Sequence, residues 1–147
     1  MAIAAENAHR KAVATAAAVA STLPVLGVDT VVALDGRIYG KPDGPEQALA
    51  TLRALSGREH TVVSGVSVIH GDLERTAVAR TGVRFRALDH AELAAYVGTG
   101  EWRDRAGGYA IQGRGALLVA AIRGDYFNVV GLPVAELVRI APELFVA

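Results

Sequence analysis

The stretch VLGVDTVVALDGRIYGKP, residues 25–42, decides the fold expected for this 147-residue chain. Its opening part, Val25 to Leu34, is rich in valine and predicts a buried β-strand. The Asp-Gly pair that follows predicts a hairpin turn into a short second strand, and Gly-Lys-Pro then interrupts the pattern. The strand contains Asp29, whose ionised carboxylate is costly to bury without a partner, a metal ion or access to water. The stretch therefore predicts a sheet and marks a candidate site within it.

Helices and strands continue on both sides of this stretch. An Ala-rich helix precedes it, from Ala4 to Ala20 and ended by Ser21, and its small side chains would allow close packing on a sheet. Two later strands form a meander, so the sheet should mix parallel and antiparallel neighbours. The remaining predicted elements are a helix through Leu55, strands Thr61–His70, Glu74–Ala87 and Ala116–Ile122, a helix capped by Asp89 that runs to Val97, and a helix from Pro133 to Leu144. The predicted fold class is α/β, a single domain (residues 1–147) with a mixed twisted sheet flanked by helices.

The composition excludes several classes of protein. The chain is 52% hydrophobic and 20% charged, which is typical of a folded domain and far from a disordered one. Fifteen basic and fifteen acidic residues cancel, so no net field would draw the chain onto nucleic acid or an anionic membrane. The absence of cysteine excludes disulfides, Cys-ligated zinc and thiol nucleophiles, and favours a cytoplasmic location.

The N-terminal segment allows a second interpretation. A basic patch followed by an apolar stretch, with several A-x-A matches, also occurs in secretory signal peptides. Here the apolar part is mostly alanine and Glu6 lies within the basic region, which favours the helix. No run reaches the roughly 18 apolar residues of a membrane-spanning helix, so no membrane partner is expected.

Three places carry residues suited to chemistry, and each also has a structural explanation. Asp29 either takes part in a reaction or caps a turn after Gly27. Lys41 lies between glycine and proline, where a ligand could approach the backbone closely, but an exposed loop lysine would look the same. The segment WRDRAGGYAIQGRGA, residues 102–116, could offer backbone N–H groups to a phosphate and a side-chain amide to a base, or it could be a Gly-rich turn without a ligand.

Five segments, in combination and in order, resemble the Maf-type nucleoside triphosphate pyrophosphatases (the septum formation protein Maf family). They are VLGVDTVVALDG, GKP, ALSGREHTVVSGV, TGVRFRALDHAELAAYVGTGEWRDRAGGYAIQGRGA and GDYFNVVGLP. The resemblance implies a Maf/ITPase-like fold and hydrolysis of a nucleoside triphosphate between its α and β phosphates, with a divalent cation (Mg²⁺ or Mn²⁺) as cofactor. The GYAIQG and GDYFNVVGLP segments are similar to the branch that prefers dTTP and UTP.

The resemblance also implies roles for individual residues. Asp29 would be the proton acceptor and would bind the metal ion, where it could activate a water for attack on the α phosphorus. Lys11 and Lys41 match lysines of the phosphate site, where they would balance the charge of the leaving group. Thr30 and Gln112 match positions that are tied to the choice of base.

The chain departs from the family pattern in two respects. Arg105, a further expected substrate-binding residue, stands where the family more often has lysine, so the charge is kept but the geometry differs. The helix with Lys11 aligns near the start of the chain, without the usual N-terminal strand, Ser-x-Arg-Arg loop and acidic segment before it. From this we expect an N-terminally incomplete domain with an open sheet edge, and impaired activity.

Two functions therefore stand as expectations. The first is a pyrophosphatase that acts on dTTP, UTP or modified pyrimidine nucleotides, impaired in this chain. The alternative is a catalytically silent nucleotide-binding or interaction module. In either case the expected partners are a small nucleotide and a second copy of the chain in a homodimer, without nucleic acid.

Overall fold

The computed structural model describes residues 2–19 and 22–146. Labels α and β are used for helices and strands, and short 3₁₀ turns lie at Ala106–Gly108, Arg114–Leu118 and Pro142–Leu144. The elements in chain order are α1 (Ala2–Ala18), β1 (Val25–Leu34), β2 (Arg37–Tyr39), α2 (Pro45–Leu55), β3 (Glu59–His70), β4 (Leu73–Phe85), α3 (His90–Gly98), β5 (Val119–Arg123), α4 (Tyr126–Val130) and α5 (Val134–Ile140).

Most predicted elements are present, with shifted ends. The helix predicted over Ala4–Ala20 is α1, although Ala20 and Ser21 lie outside the described residues. The last strand begins three residues later than predicted, at Val119, because the preceding residues form a 3₁₀ turn. The final predicted helix is interrupted near Pro142, which has no N–H to donate and disfavours helical geometry in the residue before it.

The five strands form one sheet in the order β2-β1-β3-β4-β5. The β1–β2 hairpin places Val32 opposite Tyr39, and its turn residues Asp35 and Gly36 have φ values of 51° and 75°. Positive φ at both positions is the geometry that Asp-Gly hairpins favour, so the predicted turn is confirmed.

The α/β class is confirmed, but the mixed sheet was wrong because the sheet is antiparallel. Helix α2 does connect two strands that run in the same direction, β2 and β3. Strand β1 lies between them in the sheet, so the crossover creates no parallel neighbours.

The described residues group into two compact units, so the single-domain organisation stays a prediction. Unit 1 contains the described residues of Met1–Thr30, Val63–Arg80 and Phe127–Ala147, and unit 2 contains Val31–Val62 and Thr81–Tyr126. Strands β1, β3 and β4 therefore contribute residues to both units. No helix in the described part of the chain has the length and apolar character that crossing a bilayer requires.

In unit 1, helix α1 packs through a row of alanines. Ala4, Ala8 and Ala12 recur every four residues and are fully buried. Two strand glycines make this close approach possible: a Cβ on Gly27 would lie 2.1 Å from the Ala8 carbonyl oxygen, and one on Gly65 would lie 2.3 Å from that of Ala4. The predicted close packing of small side chains on the sheet is confirmed, and it fixes the helix that carries Lys11.

The core of unit 2 contains a buried histidine. His60 is 1% exposed, and its Nε2 lies 2.8 Å from the Tyr109 hydroxyl. Its ring meets Phe85 edge to face at 4.9 Å between centroids, while its Nδ1 has no hydrogen-bond partner within the described ranges. Burial lowers the pKa of His60 from 6.5 to about 4, against the opposing effect of the Glu59 charge. The imidazole is therefore neutral at physiological pH.

This histidine should make the folded state less stable in acid. Between pH 6.5 and about 4 the unfolded chain binds a proton on His60 while the native chain does not, so stability falls as the pH falls through this range. This loss of stability is absent above pH 6.5 and reaches about 3 kcal/mol near pH 4. Urea unfolding of the wild type and His60→Gln across this range would measure it. Equal pH slopes for the two proteins would contradict the prediction.

Candidate functional site

Asp29 is held on both carboxylate oxygens by helix α1. The Lys11 Nζ lies 2.5 Å from its Oδ1, and the Asn7 amide donates to its Oδ2 at 3.0 Å. The Lys11 Nζ also donates to the Val28 carbonyl oxygen at 3.0 Å. These contacts compensate for the burial of the carboxylate, whose side chain is 17% exposed. The observed partners of Asp29 are thus side chains of α1, and its expected part in a reaction stays a prediction.

Asn7 was not among the predicted site residues. It lies four positions before Lys11, so the two side chains lie on the same face of α1 and reach the same carboxylate. The i, i+4 spacing was visible in the sequence, but a lone asparagine in an Ala-rich helix carries little information before the helix is placed against Asp29.

Asp29 has chemical capacity left after these contacts. Each carboxylate oxygen has two lone pairs and uses only one for the bonds to Asn7 and Lys11. The residual exposure of the side chain leaves room for a water or a cation to reach the carboxylate. A partly buried carboxylate that is fixed in position and still accessible is suited to accept a proton from a bound water.

Thr30 directs its hydroxyl toward Ser64. The two oxygens are 2.8 Å apart, and the Ser64 hydroxyl lies 3.5 Å from the Asn128 carbonyl oxygen. These contacts give Thr30 a fixed orientation next to Asp29 in β1. Its expected role in the choice of base stays a prediction.

In unit 2, the Gly-Lys-Pro turn packs against the Gly-rich segment. The Gly107 N–H donates to the Gly40 carbonyl oxygen at 3.0 Å, and a Cβ on Gly108 would lie 3.2 Å from Pro42 Cγ. Lys41 is exposed, with its Nζ 3.7 Å from the Asp104 Oδ1. Gly107 and Gly108 have φ values of 69° and 75°, a backbone conformation that favours glycine at both positions.

Arg105 and Gln112 also lie on the Gly-rich segment, and both side chains are exposed. The positive charge of Arg105 helps to lower the pKa of Glu101. Gln112 lies within a turn closed by a 3.1 Å hydrogen bond from the Gly113 N–H to the Ala110 carbonyl oxygen. Unit 2 thus groups Lys41, Arg105 and Gln112 on two adjoining loops, whereas Lys11, Asp29 and Thr30 belong to unit 1.

The donor set fits one kind of metal site. No group of three or more His, Cys, Asp or Glu side chains suited to hold a metal occurs among residues 2–19 and 22–146. A metal ion bound at Asp29 could therefore have this one carboxylate as a ligand from the described residues. Mg²⁺ is commonly bound by one or two carboxylates, with waters and substrate phosphates as its other ligands. The residues present fit a cation shared with a phosphate ligand, with Asp29 as its protein ligand.

Comparison with known proteins places the chain in a family. The family model "Maf-like protein" matches residues 1–144. A dTTP/UTP pyrophosphatase from Moorella thermoacetica is 55% identical over 128 residues, which cover 86% of this chain and 66% of the relative. Relatives with the same name from Thermococcus kodakarensis and Symbiobacterium thermophilum are each 47% identical, covering 88% and 92% of this chain and 69% and 71% of their own lengths. The chain thus spans about two thirds of the length of these curated relatives. With a match along nearly all its residues, the chain belongs to the Maf-like family.

Proposed function

We propose that this chain is a nucleoside triphosphate pyrophosphatase that hydrolyses dTTP and UTP to the monophosphate and pyrophosphate. The observation that carries the proposal is the Asp29 carboxylate, which Lys11 and Asn7 hold in position at 2.5 and 3.0 Å while it stays 17% exposed. Membership of the Maf-like family and the names of the relatives support the same activity.

In the proposed reaction, Asp29 accepts a proton from a water as the water oxygen attacks the α phosphorus. The bond from the α phosphorus to the bridging oxygen breaks, and pyrophosphate leaves with the electron pair. Lys11 keeps the carboxylate oriented through its contact with Oδ1. A divalent cation bound by Asp29 and the substrate phosphates would supply charge neutralisation and a more acidic water.

The loops of unit 2, taken by themselves, carry groups suited to bind a nucleotide. Lys41 and Arg105 are exposed cations that can balance phosphate charge, although Asp104 partly offsets Lys41. The Gln112 amide offers both a donor and an acceptor to a base edge. The metal requirement and the homodimer stay predictions from the resemblance, and the cytoplasmic location stays a prediction from the absence of cysteine.

The function is tested by product analysis with dTTP, UTP, dCTP and dATP, in the presence of Mg²⁺ or Mn²⁺. We expect pyrophosphate rather than inorganic phosphate, with dTTP and UTP preferred over the other nucleotides by at least about tenfold in kcat/KM. In ¹⁸O-labelled water the label should enter the monophosphate, because the α phosphorus is attacked.

Two results would contradict the proposal. Label in the pyrophosphate would place the attack on the β phosphorus instead. Saturable nucleotide binding by the folded chain without turnover would favour the alternative, a silent nucleotide-binding module.

A further inference from the structure

A single carboxylate holds one end of the turn that carries Gln112. Glu101 accepts hydrogen bonds from two successive backbone N–H groups: that of Arg114 reaches its Oε2 at 2.9 Å, and that of Gly115 reaches its Oε1 at 2.9 Å. Consecutive N–H groups that converge on one anion form a strong, directional contact. The segment after Gln112 is therefore fixed to Glu101.

Tyr96 extends this contact to the other end of the turn. Its hydroxyl donates to the Glu101 Oε1 at 2.8 Å and accepts from the Ala110 N–H at 3.1 Å. Tyr96 is 5% exposed, so this hydroxyl makes its bonds away from bulk water. Residues 110–115 are thus tied to one carboxylate on both sides of Gln112.

The turn is closed so tightly that a side chain would clash at two of its positions. A Cβ on Gly113 would lie 2.4 Å from the Glu101 Oε2, and one on Gly115 would lie 2.4 Å from the Ala110 carbonyl oxygen. Both distances are far below van der Waals contact. These glycines, together with the four hydrogen bonds, define a clasp: Glu101, Tyr96 and the backbone of residues 110–115.

The ionised form of Glu101 suits all three of its hydrogen bonds, because a carboxylate accepts and does not donate. Burial alone would raise the pKa of its carboxyl, but the N–H groups of Arg114 and Gly115, the Tyr96 hydroxyl and the Arg105 charge together lower it below the usual value. The acceptor-only form of the carboxylate is therefore the one present at neutral pH.

We propose that Glu101 is a positioning residue for nucleotide selection, because the clasp fixes the turn from which Gln112 presents its amide to the base. An amide has a donor and an acceptor and can bind either thymine or cytosine if it is free to move. Selection between them requires that the position of the amide be fixed. This inference rests on the proposed pyrophosphatase function.

The test compares the base preference, defined as kcat/KM for dTTP divided by kcat/KM for dCTP, in four proteins. These are the wild type, Glu101→Gln, Gln112→Ala and the double variant. We expect Glu101→Gln to lower the preference by about tenfold, within the coupling typical of groups in one network. Because Glu101 acts through Gln112, the double variant should match Gln112→Ala within about twofold rather than multiply the two losses.

One control and one further test variant accompany this comparison. Glu46→Gln removes an exposed carboxylate from the first turn of α2 and should leave the preference unchanged. Tyr96→Phe keeps the ring but removes the hydroxyl that links Glu101 to Ala110, and it should lower the preference in the same direction. Tyr96→Phe also tests the inference if Glu101→Gln fails to fold.

The outcomes separate this inference from the proposed function. A wild type that releases no pyrophosphate from dTTP or UTP would refute the function on which the inference rests. An active wild type whose preference is unchanged in Glu101→Gln, or in Tyr96→Phe where that variant replaces it, would overturn the inference alone. Multiplicative losses in the double variant would also overturn it, since they would mean that Glu101 acts independently of Gln112.

Discussion

Asp29→Asn is expected to lower kcat/KM for dTTP and UTP by about 10²–10⁴-fold, the range typical of losing a general base. Asparagine keeps the size of the side chain but presents an amide nitrogen in place of one oxygen, so it cannot take a proton from water at neutral pH. Lys11, whose Nζ lies 2.5 Å from the Asp29 Oδ1, would also lose its negatively charged partner. Continuous measurement of pyrophosphate release would give the rate.

The matched control for this variant is Asp72→Asn. Asp72 is an exposed carboxylate in the turn between β3 and β4, so the same chemical change there should leave the rate within about twofold of the wild type. Thermal unfolding of both variants would show whether a loss of rate reflects a loss of fold. If Asp29→Asn kept at least a tenth of the wild-type rate, Asp29 could not be the proton acceptor.

Gly65→Ala is expected to destabilise the protein by about 3 kcal/mol, at the upper end of overpacking effects. The new Cβ would lie 2.3 Å from the Ala4 carbonyl oxygen and 2.6 Å from the Ala5 Cα. These are backbone atoms of α1, so the helix itself must shift. Because α1 also carries Lys11 and Asn7, turnover should fall together with stability. Urea unfolding monitored by circular dichroism would measure the first effect.

Gly98→Ala provides the matched comparison. Gly98 is the last residue of α3, and a Cβ at this position would meet nothing within 4 Å. The same substitution should therefore be neutral or slightly stabilising, because alanine loses less conformational entropy than glycine on folding. A Gly65→Ala protein as stable as Gly98→Ala would show that α1 does not depend on the close contact.

Local features of the fold followed directly from the sequence. The Asp-Gly pair predicted the β1–β2 hairpin, and Asp89 predicted the cap that begins α3, where its Oδ1 accepts a hydrogen bond from the Glu92 N–H at 2.8 Å. Both features depend on residues close together in the chain, so the residue types alone carried the information. The direction of neighbouring strands depended instead on where β1 lies between β2 and β3, which no local pattern reports.

The site divides in the same way. An isolated carboxylate in an apolar strand was enough to single out Asp29, because its burial needs a compensating partner. That its partners are Lys11 and Asn7 was decided by the docking of α1, which the buried alanines and Gly65 allow. The role of Glu101 could not be predicted from the sequence, since nothing distinguishes it from the other acidic residues, fifteen in all, before the chain folds. Residue type and spacing thus determined the helices and strands and singled out the Asp29 carboxylate. The contacts that hold Asp29 and the turn of Gln112 were decided by the tertiary structure, because they join residues far apart in the chain.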